Sequence, residues 1–451
     1  MNATHLAVVT VGGIWGSVWP ILVAILGFGL LIFVHELGHF LGAKSMGIRV
    51  NEFALGFGPP LVKFTRGETL YAIRLLPIGG YCKMEGEDEE SEDERSFGKK
   101  PVWRRMIVIV AGAVFNIILG FLLMMIYLST VQGFYTTTVS SFASGTISSF
   151  AAGAASEQSG LKVGDQILAI DNRSVYSFSD IAQALQKTKD GAADVIVLRD
   201  GKQVDLPKVK FETQKQDGQS HADVDFTTTG ATSNQSGLQA GDKILSINNH
   251  AVYSFSDITY ILLMDKDGAV NMAVRRAGQT VELPKVQFEM VKQGGQSFIN
   301  VDFENTAVHK TVGTLLQQTF LRTVSVARLI WMTLGALITG QLGANQLMGP
   351  LGTISAIGQG ASQGFSYGII PGIQSLSFLL CLITVNLGIF NLLPVPALDG
   401  GRFVFLLLEL LRRKPVSAKY EGWVHAAGFA LVILLIIFIT YGDIVRLIRG
   451  G

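Results

Sequence analysis

Four long apolar runs divide the chain, and polar sequence with short alternations fills the space between them. The runs cover about residues 14–40 ("IWGSVWPILVAILGFGLLIFVHELGHF"), 104–130 (around "MIVIVAGAVFNIILGFLLMMIYL"), 374–398 ("QSLSFLLCLITVNLGIFNLLPVPAL") and 424–442 ("VHAAGFALVILLIIFITYG"). Each reaches the roughly 20 residues a membrane-spanning helix needs. A fifth stretch, "FLRTVSVARLIWMTLGALITG" at 320–340, carries Arg322 and Arg328 and is interrupted by Gly335 and Gly340. An amphipathic helix lying on the membrane surface fits it at least as well as a span. The pattern predicts a polytopic α-helical membrane protein with four transmembrane helices.

Between the second and third runs the pattern repeats. Residues 153–226 and 230–303 align without gaps: "SGLKVGDQILAIDNRSVYSFSDI" from Ser159 answers "SGLQAGDKILSINNHAVYSFSDI" from Ser236, an offset of 77. "DLPKVKFE" likewise answers "ELPKVQFE". Each copy alternates β-like runs such as "QILAI" with one helical stretch such as "DIAQALQ", as expected of a small α+β domain. The "SGLxxGDxILxI" pattern at Ser159–Ile170 and Ser236–Ile247 resembles a PDZ domain. PDZ domains take up extended peptides by strand addition. A spacer or steric filter without a specific ligand is the other reading, because no carboxylate-binding loop precedes either "SGL".

Composition supports a membrane protein. Hydrophobic residues make up 49% of the 451 and charged residues only 16%, too apolar for an ordinary soluble enzyme. A net charge of +1 points away from nucleic acid. Two cysteines, Cys82 and Cys381, make neither a disulfide framework nor a CxxC knuckle. The N-terminus lacks the basic region and cleavage pattern of a signal peptide, so the first run is expected to be retained. Residues 41–105 hold eleven Lys and Arg, and another basic group (Arg402, Arg412, Arg413, Lys414, Lys419) follows the third run. Basic loops stay cytoplasmic. The N-terminus, the repeats and the C-terminus then lie outside. The expected division is 1–40, first span; 41–103, cytoplasmic region and acidic linker; 104–131, second span; 132–228 and 229–308, the repeats; 309–373, a membrane-peripheral segment; 374–400, third span; 401–423, cytoplasmic loop; 424–443, fourth span.

Candidate chemistry sits at the end of the first run. "HELGH" places His35, Glu36 and His39 in a stretch with no earlier formally charged residue. HExxH puts two imidazoles one helical turn apart, on nearly the same face. That spacing suits two ligands to one zinc, with Glu36 beside the water position as general base. Average composition yields an HExxH in roughly one chain in a hundred of this length. Its position outweighs that frequency, because ionisable groups at membrane depth are functional by default. No third histidine follows nearby. Asp399, in "NLLPVPALDGGR", is the better third ligand, with Pro394 and Pro396 breaking the helix before it. Broken backbone at membrane depth is tolerated where it lines a cavity. Asp399 must reach the depth of His35 and His39, so its span must run in the same direction as the first. A full crossing at 320–340 would invert it.

HExxH in a first span, a tandem PDZ-like insert and the "NxxPxPxLDGGR" pattern together resemble the site-2 protease family of intramembrane zinc metalloproteases, over essentially the whole chain. The resemblance implies a zinc cofactor on His35, His39 and Asp399, and Glu36 as catalytic base. It implies Asn391, with Pro394 and Pro396 beside it, as contacts for an unwound substrate helix. It implies a membrane-associated β-hairpin after the first span, from "FALGFGPPLVKF" and "YAIRLLPIGGYCKM", with Gly56, Phe57 and Gly58 at its turn. Asn116 in "GAVFNIILG" fits a second-span asparagine of the family, and "LMGPLGTISAIG" at 347–358 the segment after its PDZ domains. The family cleaves single-span membrane proteins of the bacterial inner membrane, notably an anti-sigma factor already trimmed outside, and remnant signal peptides. Its PDZ domains are periplasmic and its active site lies near the cytoplasmic face.

A substrate helix must unwind before a peptide carbonyl is exposed. The β-like run at 70–76 is expected to offer a strand edge for the extended segment. The acidic run 85–94, "EGEDEESEDE", lacks the spacing of a calcium loop and reads as a solvated linker. Two other classes compete with the protease. A non-catalytic scaffold with a structural metal would be expected to have lost Glu36 or a ligand. A zinc transporter would need ionisable residues at several depths.

Overall fold

The computed structural model describes residues 11–448 except 88, 90, 132, 143–145, 176–177, 187, 189–190, 201, 217–218, 229–230, 266, 294–295, 341–348 and 415. Residues 347–348 of the segment after the repeats, and two positions of the acidic run, therefore lie outside it. The chain forms two compact units, one from Met1–Val131 with Leu315–Gly451 and the other from Gln132–Thr314.

In the first unit the apolar runs become helices, the form in which a backbone satisfies its own polar groups. α1 (Val11–Ser45) leads into β1 (Val50–Arg66) and β2 (Thr69–Met84), and α2 (Val102–Thr130) follows. β1 and β2 do not make a simple hairpin. Phe53 pairs with both Tyr71 and Cys82, while Phe64 also pairs with Tyr71. Each strand is folded back on itself, giving four ribbons in the order 60–66, 69–74, 50–55, 80–84. Gly56 and Gly58 at φ +85° and +90° and Gly79 at +94° supply the reversals, and a Cβ on Gly56 would meet the Leu76 carbonyl oxygen at 2.4 Å. The Gly56–Gly58 element is therefore the fold in β1, and the hairpin turn itself lies at Gly67. The expected strand edge at 70–76 is corrected: residues 70–73 are paired on both sides, so the accessible ribbon is elsewhere. Residues at the base (Val50, Phe53, Cys82, Met84) pack with Ala43, Val108 and Ile109 of α1 and α2. Phe57, Leu61, Val62, Phe64, Ile73 and Leu76 farther out are exposed.

The second unit begins with β3 (Phe134–Phe142). The first repeat follows: β4 (Ile147–Phe150), α3 (Ala155–Gln158), β5 (Gln166–Ile170), β6 (Arg173–Ser174), α4 (Phe178–Gln186), β7 (Ala192–Arg199), β8 (Lys202–Lys210), β9 (Glu212–Gln216), β10 (Gln219–Asp223) and β11 (Phe226–Thr228). The second repeat has α5 (Thr232–Gln235), β12 (Lys243–Ile247), β13 (His250–Ala251), α6 (Phe255–Met264), β14 (Ala269–Arg276), β15 (Gln279–Gln287), β16 (Glu289–Gln293), β17 (Gln296–Asn300) and β18 (Phe303–Val308). One sheet runs β6-β5-β7-β8, and its counterpart runs β15-β14-β12-β3-β18. The division at 228/229 is corrected here. In the first repeat, Ile147 of β4 exchanges backbone bonds with Asp165 and Gly164, and β4 pairs with β11. In the second, Val139 of β3 makes the same bonds to Asp242 and Gly241, and β3 pairs with β18. The opening strand of the second repeat thus precedes the whole first repeat. The pairings nest, β3 with β18 outside β4 with β11, which avoids crossed connections.

The chain returns to the first unit through α7 (Val312–Ile338), then α8 (Pro350–Ser366), α9 (Ile369–Asn391), α10 (Asp399–Arg412) and α11 (Ala418–Ile448). α7 continues through Gly335, since one glycine costs a helix only about 1 kcal/mol. Among the described residues, five helices, α7 included, are long and apolar enough to cross a membrane. The segment expected as a cytoplasmic loop at 401–423 is helical through Arg412.

Candidate metal centre

α1 and α2 pack antiparallel, and one stripe of α2 meets the histidines of α1. Val108, Gly112 and Asn116 recur every fourth residue, so they share a face. Val108 lies beside His39, Asn116 beside His35, and Gly112 between them. The Nδ1 of His39 donates to the Val108 carbonyl at 2.9 Å. A carbonyl only accepts, so this contact places the ring proton on Nδ1 and leaves Nε2 a lone pair. Asn116 reaches His35 Nδ1 with its side-chain amide at 3.1 Å. A Cβ on Gly112 would lie 2.4 Å from His39 Nε2 and 2.8 Å from His35 Cε1, so only glycine leaves room for both rings.

Asp399 arrives from the other end of the chain. α9 ends at Asn391, the backbone breaks over 392–398, and α10 starts at Asp399. Gly400 and Gly401 let the new helix seat against that break, where a Cβ would meet the carbonyl oxygens of Leu393 at 2.1 Å and Val395 at 2.5 Å. Ala397, at φ +78°, donates its backbone N–H to His425 Nδ1 of α11 at 3.0 Å. A carboxylate in the first turn of a helix also faces the favourable end of its dipole.

The three groups converge. His35 Nε2 lies 3.2 Å from His39 Nε2, and Asp399 Oδ2 lies 3.2 Å and 3.3 Å from the two nitrogens. Zinc at about 2.0–2.1 Å from its ligands in a tetrahedron would separate them by about 3.3–3.4 Å. The triangle fits. The imidazoles are 8% and 7% exposed, and Asp399 Oδ2 is buried without a hydrogen-bond partner. Two imidazole nitrogens and a carboxylate oxygen converging in a buried site are the donor types that hold zinc.

The triangle opens into a cavity of about 390 Å³, lined by His35, Glu36, His39, Asp399, Ile109, Glu87 and the ribbon Tyr81–Met84. That ribbon is at one edge of the four and lies against Glu36: a Cβ on Gly80 would come 3.3 Å from Glu36 Cγ. Burial pushes the Cys82 thiol well above its ordinary value, with the nearby Glu36 charge adding to the effect, so it stays a neutral wall. A second cavity of about 240 Å³ shares Glu87 and Ile109 and is lined by Arg105, Arg402, Glu409, Glu421 and His425. Arg402 pairs with Glu87 where the two cavities meet, and Arg105 holds Glu409 with two bonds, at 2.6 and 3.1 Å.

Of the residues singled out in the sequence, His35, Glu36, His39 and Asp399 share one cavity. Asn391 does not line that cavity but lies beside it, its amide 3.4 Å from His35 Nε2. Asn116 is fully buried behind His35. Gly56, Phe57, Gly58, Pro394 and Pro396 are not among the cavity-lining residues; the prolines shape the break before Asp399. Sequence reasoning missed the Val108 carbonyl, Gly112 and the 81–84 ribbon. The four-residue stripe on α2 was visible, but nothing in it names its partner helix.

A model of peptidase family M50 matches residues 23–435. The chain is 30% identical to the regulator of sigma-W protease RasP of Bacillus subtilis over 441 residues, covering 95% of this chain and 98% of that protein. It is 30% identical to the regulator of sigma E protease of Haemophilus influenzae over 462 residues, covering 95% and 99%. A zinc metalloprotease RasP of Geobacillus kaustophilus is 31% identical over 437 residues, covering 92% and 96%.

Proposed function

The chain belongs to peptidase family M50 and is a zinc metalloprotease; from that premise we propose that it cuts the membrane-embedded segment of single-span membrane proteins, an anti-sigma factor and remnant signal peptides among them. The observation that carries this reading is the triangle of His35, His39 and Asp399, with both histidines on a helix apolar enough to cross a membrane and Asp399 eight residues beyond the end of another, α9. The relatives named regulator of sigma-W protease and regulator of sigma E protease support the substrate class.

His35, His39 and Asp399 would hold the zinc, which supplies Lewis acidity and a water acidified toward neutral pH. Glu36 takes a proton from water at its carboxylate and delivers it to the leaving nitrogen. The 80–84 ribbon carries backbone groups on the cavity wall, and an unwound substrate joins it as an added strand. Asn391, beside the metal-facing nitrogen, offers donors and an acceptor to the substrate backbone. The charged cavity beyond Glu87 and Arg402 brings water to the site.

The orientation follows from charge and parity. The eleven Lys and Arg at 41–105 place that region, and the site, on the cytoplasmic side of the bacterial inner membrane. α1 and α9 both end at the metal centre, so both run inward. α8, at 17 residues, is not among the five candidate spans. A crossing by α7 alone would bring α9 in from the wrong side. α7 therefore lies at the membrane surface with Arg322 and Arg328, and the protein has four spans. The exposed apolar part of β1 and β2 contacts lipid. The two repeats act as PDZ-like filters outside the membrane, admitting substrates whose outer domain has been removed.

Purified full-length protein with Glu36→Gln should keep one zinc and lose cleavage of a labelled single-span substrate by at least about 10²–10⁴-fold. Retained cleavage would sink the assignment of Glu36. Cleavage confined to a soluble loop of the substrate would sink the intramembrane reading.

A further inference from the structure

The two histidines of the triangle are backed by α2 in different ways. His39 gives its Nδ1 proton to a backbone carbonyl, that of Val108, at 2.9 Å. His35 instead meets a side chain: the amide nitrogen of Asn116 lies 3.1 Å from its Nδ1, while the buried amide oxygen is left without a hydrogen-bond partner. An amide can present either its nitrogen or its oxygen, and the two atoms have opposite consequences. An amide N–H directed at His35 Nδ1 would force the ring proton onto Nε2, into the face shared with His39 and Asp399. The amide oxygen accepts an Nδ1–H and leaves Nε2 bare.

We propose that Asn116 is a positioning residue: its side-chain oxygen accepts the Nδ1–H of His35 and holds Nε2 free for the metal, as the Val108 carbonyl does for His39. The inference rests on reading His35, His39 and Asp399 as zinc ligands. Three further observations support it. Asn116 is 0% exposed and absent from the cavity wall, so substrate does not reach it. Its backbone carbonyl accepts the hydroxyl proton of Thr384 on α9 at 3.2 Å. Gly388 of α9 packs close to it, such that a Cβ there would lie 3.3 Å from Asn116 Cβ. α9, which also leads to Asp399, thereby clamps the residue that orients the ligand on α1. Outer partners of metal-bound histidines change metal affinity by about 10–100-fold when removed.

The test uses full-length protein in detergent, comparing zinc stoichiometry and the rate of zinc loss to a chelator in Asn116→Leu, Asn116→Asp and His35→Ala. Leu and Asp are both close to Asn in size, but only Asp keeps an acceptor. We expect Asn116→Leu to release zinc about 10–100-fold faster and Asn116→Asp to hold it within about threefold of the parent. Release from Asn116→Leu at the parent's rate, or from Asn116→Asp as fast as from Asn116→Leu, overturns the proposal. Zinc retained by His35→Ala overturns the ligand assignment beneath it instead, whatever the Asn116 variants do. A ¹⁵N-histidine spectrum of the zinc-loaded parent, with His35 assigned by its loss in His35→Gln, needs no Asn116 variant to fold. It should show His35 protonated at Nδ1 and metallated at Nε2; the reverse pattern overturns the proposal.

Discussion

Each unit of this protein buries carboxylates, and they are treated in opposite ways. Asp165 and Asp242, at corresponding places in the two repeats, are both 0% exposed. Each receives two bonds from one guanidinium: Arg199 at 2.7 and 2.6 Å, and Arg276 at 2.7 and 2.7 Å. Each also accepts a backbone N–H, from Lys162 and Gln239 respectively. Asp399 is handled differently. Its Oδ2 has no hydrogen-bond partner and faces two imidazole nitrogens at 3.2 and 3.3 Å. A carboxylate whose lone pairs are all matched closes a fold. One aimed at two imidazole nitrogens, with no other partner, suits a shared cation. The same residue type is a structural group in one unit and a candidate metal ligand in the other, and the partner set makes the distinction.

The sharpest way to break that comparison is to remove each carboxylate in turn. Asp399→Ala should abolish zinc binding, read as metal per chain, while hydrogen exchange in the repeats stays at the parent's rates. Asp242→Asn should do the converse. Arg276 is itself partly exposed, so weakening its charged hydrogen bonds costs about 1.5–3 kcal/mol, and amides of the second repeat should exchange faster while zinc stoichiometry holds at one. If Asp242→Asn lost zinc, the two roles would not be separable. Gly112→Ala tests the space around the triangle without touching a ligand. Crowding His39 Nε2 should cost about 1–3 kcal/mol, read as weaker zinc affinity, with α-helix content unchanged.

The smallest effect concerns pH. Burial raises Asp302 from its ordinary 3.8 to about 6. The folded state then takes up this proton as pH falls through 6, whereas the unfolded chain waits until about 4. Stability from this group therefore rises on acidification, by about 1 kcal/mol between pH 7 and pH 5. Asp302→Asn should remove the gain while its side-chain oxygen still accepts the Ser233 N–H that Asp302 takes at 2.9 Å. Exchange rates in the second repeat at the two pH values measure it, and an unchanged pH response in Asp302→Asn would refute the assignment.

Much of the site was legible because its parts are local. HExxH carries its own geometry once a helix forms. The "LDGG" at 398–401 follows a proline-broken run, and its carboxylate had to meet the histidines at one depth. The repeats were legible because 77 residues separate matching letters without a gap. What was not legible depends on partners far away in sequence. The strand edge expected at 70–76 is interior because β1 folds back at Gly56 and Gly58 and covers it. The opening strand of the second repeat was assigned to the first because β3 lies next to it in sequence. The stretch after Asp399 read as a loop because its charged residues hide the amphipathic helix α10.

The amino-acid sequence by itself determined which segments are apolar enough to leave water, which side chains are suited to hold a metal, and that a stretch of chain was duplicated. Those properties are written in residue type and spacing, which set local conformation and transfer free energy directly. Only the tertiary structure decided that α2 supplies the outer partners of both histidines, 69 and 81 residues away from them. It alone chose the 80–84 ribbon as the wall beside Glu36 and inserted one repeat within the other. Such pairings are selected by packing and by the need to satisfy every buried polar group at once. No single stretch of chain encodes that requirement.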